Sequence, residues 1–505
     1  MDLKKILINI KIKFKTLGNL NIKISSISYD SRKIKKNAVF FNLSRIEIES
    51  KKHIKEAIFN GASVIVSRFN YNISIVPKII VKDITKFMAI FSANFYEHPD
   101  KDLTIIGITG TNGKTTTTYM LENIFLNNNI NCGVIGTINY RYKNTIINSI
   151  NTTPQSVDIY KIMRDMVNES IKYLIIEISS HALKLNRVFG INFNIAIFTN
   201  LTHDHLDFHK NMNNYFYTKI NLFKQLNTSK KRYAIINADD KYGKKLIKMK
   251  INANITPYAI KNNSSIVKVK AVNIKSTENY NSFNLLLNNT KNEKIKKIKI
   301  PYIGIHNTYN ALAALISAVY CNININEAIY GLENSKLFPP GRLEKIESTI
   351  LGFKVFVDYA HTEDAIKNSI QTFINIGSNK IITVFGCGGN RDRTKRPIMG
   401  KIAVEMSSFV FITSDNPRME NQNKIIKDIK SGIEIKKKNN FKVVPDREVA
   451  IKEAINMANK GDIVLIAGKG HETYQIIGNK KKYFNDIEIS KKYILLKEKK
   501  NKKSK

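Results

Sequence analysis

The chain has 505 residues, with 81 Lys and Arg against 41 Asp and Glu for a net charge of +40, and only three cysteines. That length holds two to four domains, the 43% hydrophobic content fits a folded core, and no apolar run nears the ~20 residues that cross a bilayer. Cys132, Cys321 and Cys387 are scattered and odd in number, which excludes a disulfide framework and fits a reducing compartment.

The apolar run in Met1-Asp-Leu-Lys-Lys-Ile-Leu-Ile-Asn9 breaks too early for a signal segment, so a cytoplasmic protein is expected. A first block closes at the turn-rich Phe95-Tyr-Glu-His-Pro-Asp100. Next, the apolar run Leu103-Thr-Ile-Ile106 reads as a strand that enters Gly107-Ile-Thr-Gly-Thr-Asn-Gly-Lys-Thr-Thr116 and then a helix. A Gly-rich turn with Gly-Lys-Thr at a helix start is a phosphate cradle. Backbone N–H groups face the anion, Lys114 neutralises the outer phosphates and Thr115 reaches Mg²⁺. The commonest form has glycine where Ile108 stands; here Gly107 and Gly110 flank that position. The bland alternative is a glycine turn, but the junction favours ATP or a close relative.

Further apolar runs read as buried parallel strands, each entering a polar motif: Tyr173–Ile178, Ile195–Phe198 and Tyr233–Ile236. Ligands of open α/β sheets bind beyond the carboxyl ends of strands, which makes those motifs informative. Glu177 sits within one such run and needs a Lys, an Arg or a cation to offset its burial; beside a phosphate loop, Mg²⁺ is the favoured partner. The segment Thr199–His209 packs His203, Asp204, His205, Asp207 and His209 together. A binuclear zinc hydrolase is one reading, although Phe208 breaks its spacing; a histidine serving a second Mg²⁺ beside ATP is the other. Alternating residues between Ile266 and Ile300 predict a small antiparallel insert with one solvated face.

The segment Leu337-Phe-Pro-Pro-Gly-Arg342 has the chemistry of a hinge, and a third block runs to about Ser490. Its strands are read at Val355–Val357, Ile381–Phe385, Phe409–Ile412 and Ile463–Ile466. Asp415-Asn-Pro-Arg418 is either an ordinary turn or, with Arg391, a clamp in which two guanidinium groups take a carboxylate while Asp415 and Asn416 take an ammonium. The Lys-rich end, residues 491–505, reads as a solvated, disordered tail. The basic balance raises a nucleic-acid-binding ATPase as a rival. The excess is diffuse lysine among Ile and Asn, without an Arg-rich, aromatic face, so no nucleic-acid partner is expected.

Twelve motifs in order resemble one family. They are Asp30-Ser-Arg32, Gly110–Thr116, Asn151-Thr-Thr153, Glu177–His181, Thr199–His209, Asn237-Ala-Asp-Asp240, Gly304–Asn310, Pro340-Gly-Arg342, Asp358-Tyr-Ala-His-Thr362, Phe385–Gly389, Asp415–Arg418 and Ala467–Glu472. Together the chain resembles the Mur ligases of peptidoglycan synthesis, in their diaminopimelate-adding branch. The resemblance implies an α/β protein of three domains. A small α/β N-terminal domain (1–100) would bind the UDP substrate, a central P-loop ATPase with a mostly parallel sheet would follow (101–336), and a C-terminal Rossmann-like domain (337–490) would bind the amino acid. It implies that ATP phosphorylates the D-Glu γ-carboxylate of UDP-N-acetylmuramoyl-L-Ala-D-Glu and that the amine of meso-diaminopimelate attacks the acyl phosphate. No membrane insertion is implied, and a monomer is expected.

Carried over by position, the resemblance implies roles for individual residues. Gly110, Thr111, Asn112, Gly113, Lys114, Thr115 and Thr116, with His306, Asn307, Asn310 and Arg342, hold ATP. Thr115, Glu177 and His205 serve Mg²⁺. Lys114, Glu177, His205, Asp358 and His361 are catalytic, with Lys219 as a carbamate. Tyr29, Ser31, Asn151, Thr152, Thr153, Ser179 and Arg187 meet the UDP-muramoyl-dipeptide. Arg391, Asp415, Asn416, Pro417, Arg418, Gly468 and Glu472 meet diaminopimelate. The chain departs from the family at Asn42–Ser50, which has no glycine, and at Leu185, Asn390 and Glu363.

Overall fold

The computed structural model describes residues 1–72, 75–226, 231–287, 296–348 and 350–503. Its backbone is organised around three sheets, of five, eleven and six strands, plus one small hairpin. The five-stranded sheet draws on residues 14–81; the helix Ile84–Phe95, capped by Asp83, packs Phe87 and Phe91 against it.

The eleven-stranded sheet has a parallel centre. In spatial order its strands are Asn254–Ala259, Tyr233–Asn237, Ile195–Phe198, Thr104–Thr109, Tyr173–Glu177 and Cys132–Ile135. Ile106, Ile108, Ile175 and Ile197 pack into a core with Met120, Leu121, Leu312 and Leu315. Ile105, Leu174, Ile176, Ala196 and Phe198 pack into a second with Met163, Phe216 and Leu222. Burial on both faces explains why these strands are unbroken apolar runs. The strand Thr104–Thr109 is longer than the sequence predicts and takes in Gly107, which therefore belongs to the sheet rather than to the phosphate loop. A β-carbon there would come within 2.9 Å of the Phe193 ring, so glycine is required by close packing.

The segment expected as a small antiparallel insert is antiparallel, through Val269–Ser276, Asn281–Leu287 and Lys296–Ile300. It continues the central sheet, because Val269 and Lys270 pair with Tyr258 and Ala259 and because Phe283, Leu285 and Ile298 enter the same core. Ile295, at the start of the expected last strand, lies outside the described residues.

The six-stranded sheet places Lys354–Asp358, Ile463–Ala467, Ile381–Phe385, Phe409–Ile412 and Phe441–Val443 in parallel, with Glu344–Glu347 antiparallel at one edge. The tail expected to be disordered is instead helical from Asp486 to Lys503. Ile494 is buried in the core beneath this sheet, and the Lys497 amine donates to the Ile455 and Asn456 carbonyls at the end of the helix Arg447–Met457. The last two basic-tail residues, 504 and 505, lie outside the described residues.

The carboxyl ends of the central and third sheets face each other. Asn112 Nδ2 donates to Asp364 Oδ2 at 3.0 Å, and the Lys395 amine donates to Asp204 Oδ1 at 3.1 Å. Loops from both sheets therefore line one cleft.

Candidate active site

The helix Lys114–Asn127 begins directly after Gly113, whose φ of 88° lies in the left-handed region. A β-carbon on Gly113 would also meet Asn310 Oδ1 at 2.4 Å, so the loop and the helix Ile305–Tyr320 fit only with glycine here. Asn310 Nδ2 donates to Asn307 Oδ1, and Asn307 Nδ2 to the Ile303 carbonyl. Lys114 Nζ donates to the carbonyls of Gly110 and Thr111 at 3.0 and 2.9 Å. Burial pulls the Lys114 amine below its usual range, against the opposing charge of Glu177.

Glu177 ends its strand fully buried, and among the described residues hydroxyl and amide donors surround it rather than a direct Lys or Arg ion pair. Thr115 Oγ1 and Thr137 Oγ1 donate to Oε2 at 2.9 and 2.8 Å, and the Thr137 backbone N–H donates to Oε1 at 3.0 Å. Thr115 and Glu177 form an oxygen pair of the kind Mg²⁺ selects. Among the described residues, no three His, Cys, Asp or Glu side chains converge as a metal cage.

Lys219 lies on the helix Met212–Phe223, fully buried, with Nζ donating to the Gly110 carbonyl at 2.9 Å. Burial first, and then the Lys114 charge, push this amine well below its ordinary range. Two lysines thus share one carbonyl under the phosphate loop. Nearby, a cavity of about 460 Å³ is lined by Thr116, Asn307, Arg342, Tyr302 and Phe356, at the junction of the two sheets. Arg342 stacks over the Tyr359 ring at 4.5 Å. The hinge residue Gly341 is buried and abuts Gly470 and His471, so this linker is packed into the cleft wall.

The His-rich segment divides its work. His203 Nε2 pairs with Asp392 at 3.0 Å, and its Nδ1 lies 3.6 Å from Glu363. Asp204 is buried and meets Lys395, His205 at 3.3 Å and His361 at 3.7 Å. Burial alone would raise Asp204; the His361 imidazole and the Lys395 charge hold it well below the usual carboxylate range. Burial pushes His205 down to about 3 and His209 to about 4, so both present neutral rings. His209 is enclosed between Tyr215, on which it stacks at 4.8 Å, and Ser180 Oγ at 2.9 Å. Partners this distributed do not form a binuclear zinc centre.

In the third sheet, Asn416 Nδ2 donates to Glu472 Oε2 at 2.8 Å, and its Oδ1 accepts from the Ile476 amide at 2.9 Å. The Asn416 amide therefore fixes Glu472 against the hairpin strand, and Oδ1 keeps a second lone pair. Arg418 holds φ at 52°, bridges to the hairpin at Ile477 and donates from Nη1 to the Gly389 carbonyl at 2.9 Å. Arg391 is exposed beside it, Asp415 and Pro417 are buried, and Gly468 abuts the Asp415 carboxylate. Asp358 Oδ1 accepts from the amides of Leu343 and Tyr359 and Oδ2 accepts from Ser369 Oγ, which fixes the carboxylate at the Arg342 turn.

The remaining candidates run from the first sheet toward Glu177. Tyr29 and Ser31 line a cavity of about 820 Å³ with Arg32, Asn42, Arg45 and Lys52. The Tyr29 hydroxyl donates to Asp158 Oδ2 at 2.7 Å, and Ser31 Oγ to Glu56 at 2.5 Å. In the glycine-free loop after Phe41, Asn42 Nδ2 donates to the Ser50 carbonyl and Oδ1 accepts from the Ser44 amide. Arg187 Nη1 donates to the Thr153 carbonyl, Thr153 Oγ1 to the Glu177 carbonyl, and Thr152 Oγ1 meets Thr137 Oγ1 at 3.1 Å. Ser179 caps the short helix Ser180–Lys184, while Asn151 is exposed at the rim.

Residues 108–318 match the Mur ligase middle domain, and residues 341–470 match the Mur ligase glutamate ligase domain. UDP-N-acetylmuramoyl-L-alanyl-D-glutamate–2,6-diaminopimelate ligase 1 of Clostridium acetobutylicum is 42% identical over 496 residues, spanning 98% of this chain and 99% of its own. The chain belongs to the Mur ligase family. The corresponding ligase of Fusobacterium nucleatum is 42% identical to this Mur ligase, with 96% and 97% of the two chains covered. A solved UDP-N-acetylmuramoyl-L-alanyl-D-glutamate–2,6-diaminopimelate ligase superposes with a TM-score of 0.68 at 28% identity over 99% of both chains. The MurF ligase of Thermotoga maritima, solved with ADP, shares the fold with a TM-score of 0.64 at 17% identity.

Motif reading of the ligase missed Thr137, Asp392 and Lys395, which complete the Glu177 shell and the cleft contacts. Asp392 and Lys395 stand one and four residues after Arg391 in sequence, but only the fold brings them to His203 and Asp204. The neutral histidines carry a prediction. His209 has a folded pKa of about 4 against about 6.5 in the unfolded chain, which therefore takes up the proton first. Stability should fall as pH drops from about 6.5 toward 4, by at most about 1.4 kcal/mol per pH unit from this residue. Urea midpoints across that range should fall less steeply in His209→Gln; parallel slopes would remove His209 as a cause.

Proposed function

We propose that this Mur ligase adds meso-diaminopimelate to the γ-carboxylate of D-Glu in UDP-N-acetylmuramoyl-L-Ala-D-Glu, using ATP, as an ADP-forming step of peptidoglycan synthesis. The observation that carries the reading is the facing of two strand-end clusters across one cleft. Lys114, Thr115 and Glu177 stand on the central side, and Asp415, Arg418 and Glu472 on the other. A phosphate cradle opposite a paired acid and guanidinium site is what joining a phosphorylated carboxylate to an amino acid requires. The names of the two bacterial relatives supply the substrates.

A carboxylate is a poor electrophile until it carries a good leaving group. In this reading Gly110 to Thr116 cradle the phosphates of ATP, and Lys114 offsets charge as the terminal phosphoryl group passes to the γ-carboxylate oxygen. Arg187, Thr152, Thr153 and Ser179 hold the dipeptide so that this oxygen lies in line, with Tyr29 and Ser31 at the uridine end. The amine of the acceptor then attacks the acyl carbon, the carbon–nitrogen bond forms, the carbon–oxygen bond to phosphate breaks, and a proton leaves the nitrogen. Arg418 and Arg391 hold a carboxylate of the acceptor, while Asp415 and Glu472 hold an ammonium. Asn307 and Arg342, which line the 460 Å³ cavity, enclose the nucleotide together with His306 and Asn310 of the adjoining helix.

Thr115 and Glu177 would hold Mg²⁺, which when bound neutralises phosphate charge; His205, a neutral ring, is the further candidate ligand. The depressed Lys219 amine is suited to take up CO₂ as a carbamate, giving a buried negative group under the loop. Domain roles follow: residues 1–100 for the UDP substrate, 101–336 for ATP and 337–490 for the acceptor. No helix among the described residues is long and apolar enough to cross a membrane, and the reading takes the enzyme as a cytoplasmic monomer.

The test is ADP release with the UDP-dipeptide and either diaminopimelate or lysine. Release should require the dipeptide and prefer diaminopimelate by about 100-fold or more, the discrimination that a paired charged site supports. Dipeptide-independent release would overturn the ligase reading, and equal use of lysine would overturn the acceptor.

A further inference from the structure

The walls of the acceptor site rest on a buried cation that faces no substrate. Arg447 opens the helix Arg447–Met457, and Asp486 opens the final helix Asp486–Lys503. Both side chains are completely buried, and they form a two-bonded fork: Nε to Oδ1 at 2.8 Å and Nη2 to Oδ2 at 2.7 Å. The guanidinium also donates from Nη2 to the Ala467 carbonyl at 3.0 Å and from Nη1 to the Ser414 carbonyl at 3.4 Å. Those two carbonyls immediately precede Gly468 and Asp415. One side chain thus ties together the starts of two loops from different strands.

A buried ion pair is by itself weak support for stability, because apolar residues of similar size often serve as well. What an apolar pair cannot do is satisfy two strand-end carbonyls at a fixed separation. Asp415 and Glu472 both act on Arg447 electrostatically, so the cation also lies close enough to offset the two acids in front of it. Gln475 reinforces the same loop, donating to Ser414 Oγ at 2.8 Å and the Asp415 carbonyl at 2.7 Å.

We infer that Arg447 is a positioning residue for the amino-acid acceptor: anchored by Asp486, it sets the spacing of the Asp415 and Gly468 loops and couples the C-terminal helix to that site. The inference rests on the acceptor site proposed above.

The test is a steady-state comparison of the full chain. The double variant Arg447→Met with Asp486→Leu removes both charges without leaving either alone. Its KM for diaminopimelate should rise about tenfold or more, with KM for ATP and for the UDP-dipeptide within about twofold of the parent. Arg447→Lys keeps the charge but cannot reach both carbonyls, so it should share the rise. An unchanged diaminopimelate KM in a double variant that melts like the parent overturns the inference, and so does a parental KM in Arg447→Lys. Should the double variant not fold, the isosteric Asp486→Asn is expected to show the same selective rise, and a parental KM there overturns the inference. Arg418→Ala measured alongside separates the levels. If it also leaves the diaminopimelate KM unchanged, the acceptor site itself is misplaced and this inference falls with it.

Discussion

Lys114→Met is expected to lower kcat by about 10³-fold or more while leaving the protein at least as resistant to urea as the parent. In the structure the Lys114 amine is spent on two loop carbonyls, and burial together with the Arg342 charge disfavours its protonated form. Removing it relieves that cost in the free protein. In the reaction the same amine is, with Lys219, a positive side chain donating into the phosphate loop, and about 4 kcal/mol of transition-state stabilisation corresponds to that loss in rate. Quenched-flow ADP release and urea midpoints on the same preparations check both halves. A loss of stability in proportion to the loss of rate would make Lys114 a structural residue instead.

The second large effect concerns Arg418→Ala, which should raise KM for diaminopimelate by about 30- to 100-fold and change KM for ATP by less than about twofold. Arg418 holds a left-handed backbone at φ 52° because the adjoining hairpin grips it, through its amide to the Ile476 carbonyl and through the Gly478 amide to its own carbonyl. Alanine keeps that backbone and loses only the guanidinium, so the fold should survive. Isothermal titration with ATP and initial rates over a diaminopimelate series measure the two terms. Equal weakening of both would place Arg418 in the cleft closure rather than on the acceptor.

Some of this was legible in the chain and some was not, for specific reasons. Ile381–Phe385 and Phe409–Ile412 are strands at the residues predicted, since a parallel strand covered on both faces must be apolar throughout. A glycine shortly before Gly-Lys-Thr has the chemistry of a loop; only the Phe193 ring, 86 residues on, shows why Gly107 stands in the strand. The C-terminal helix was unreadable because Lys and Glu dominate it and Ile494 is its one fully buried apolar anchor. The sequence marks Glu177 as an acid needing a partner, but its partners are threonine hydroxyls and an amide, groups too common in any sequence to single out.

By itself the sequence determined the class of fold, the phosphate loop and the family, because these depend on local order: apolar runs, glycines at a turn, and motifs in register along one chain. Only the tertiary structure decided which charged groups meet. His203 and Asp392, Asp204 and Lys395, and Arg447 and Asp486 are brought together by the two facing strand ends and the final helix. Their energies depend on burial and on distances of about 3 Å, and a linear pattern of residues specifies neither.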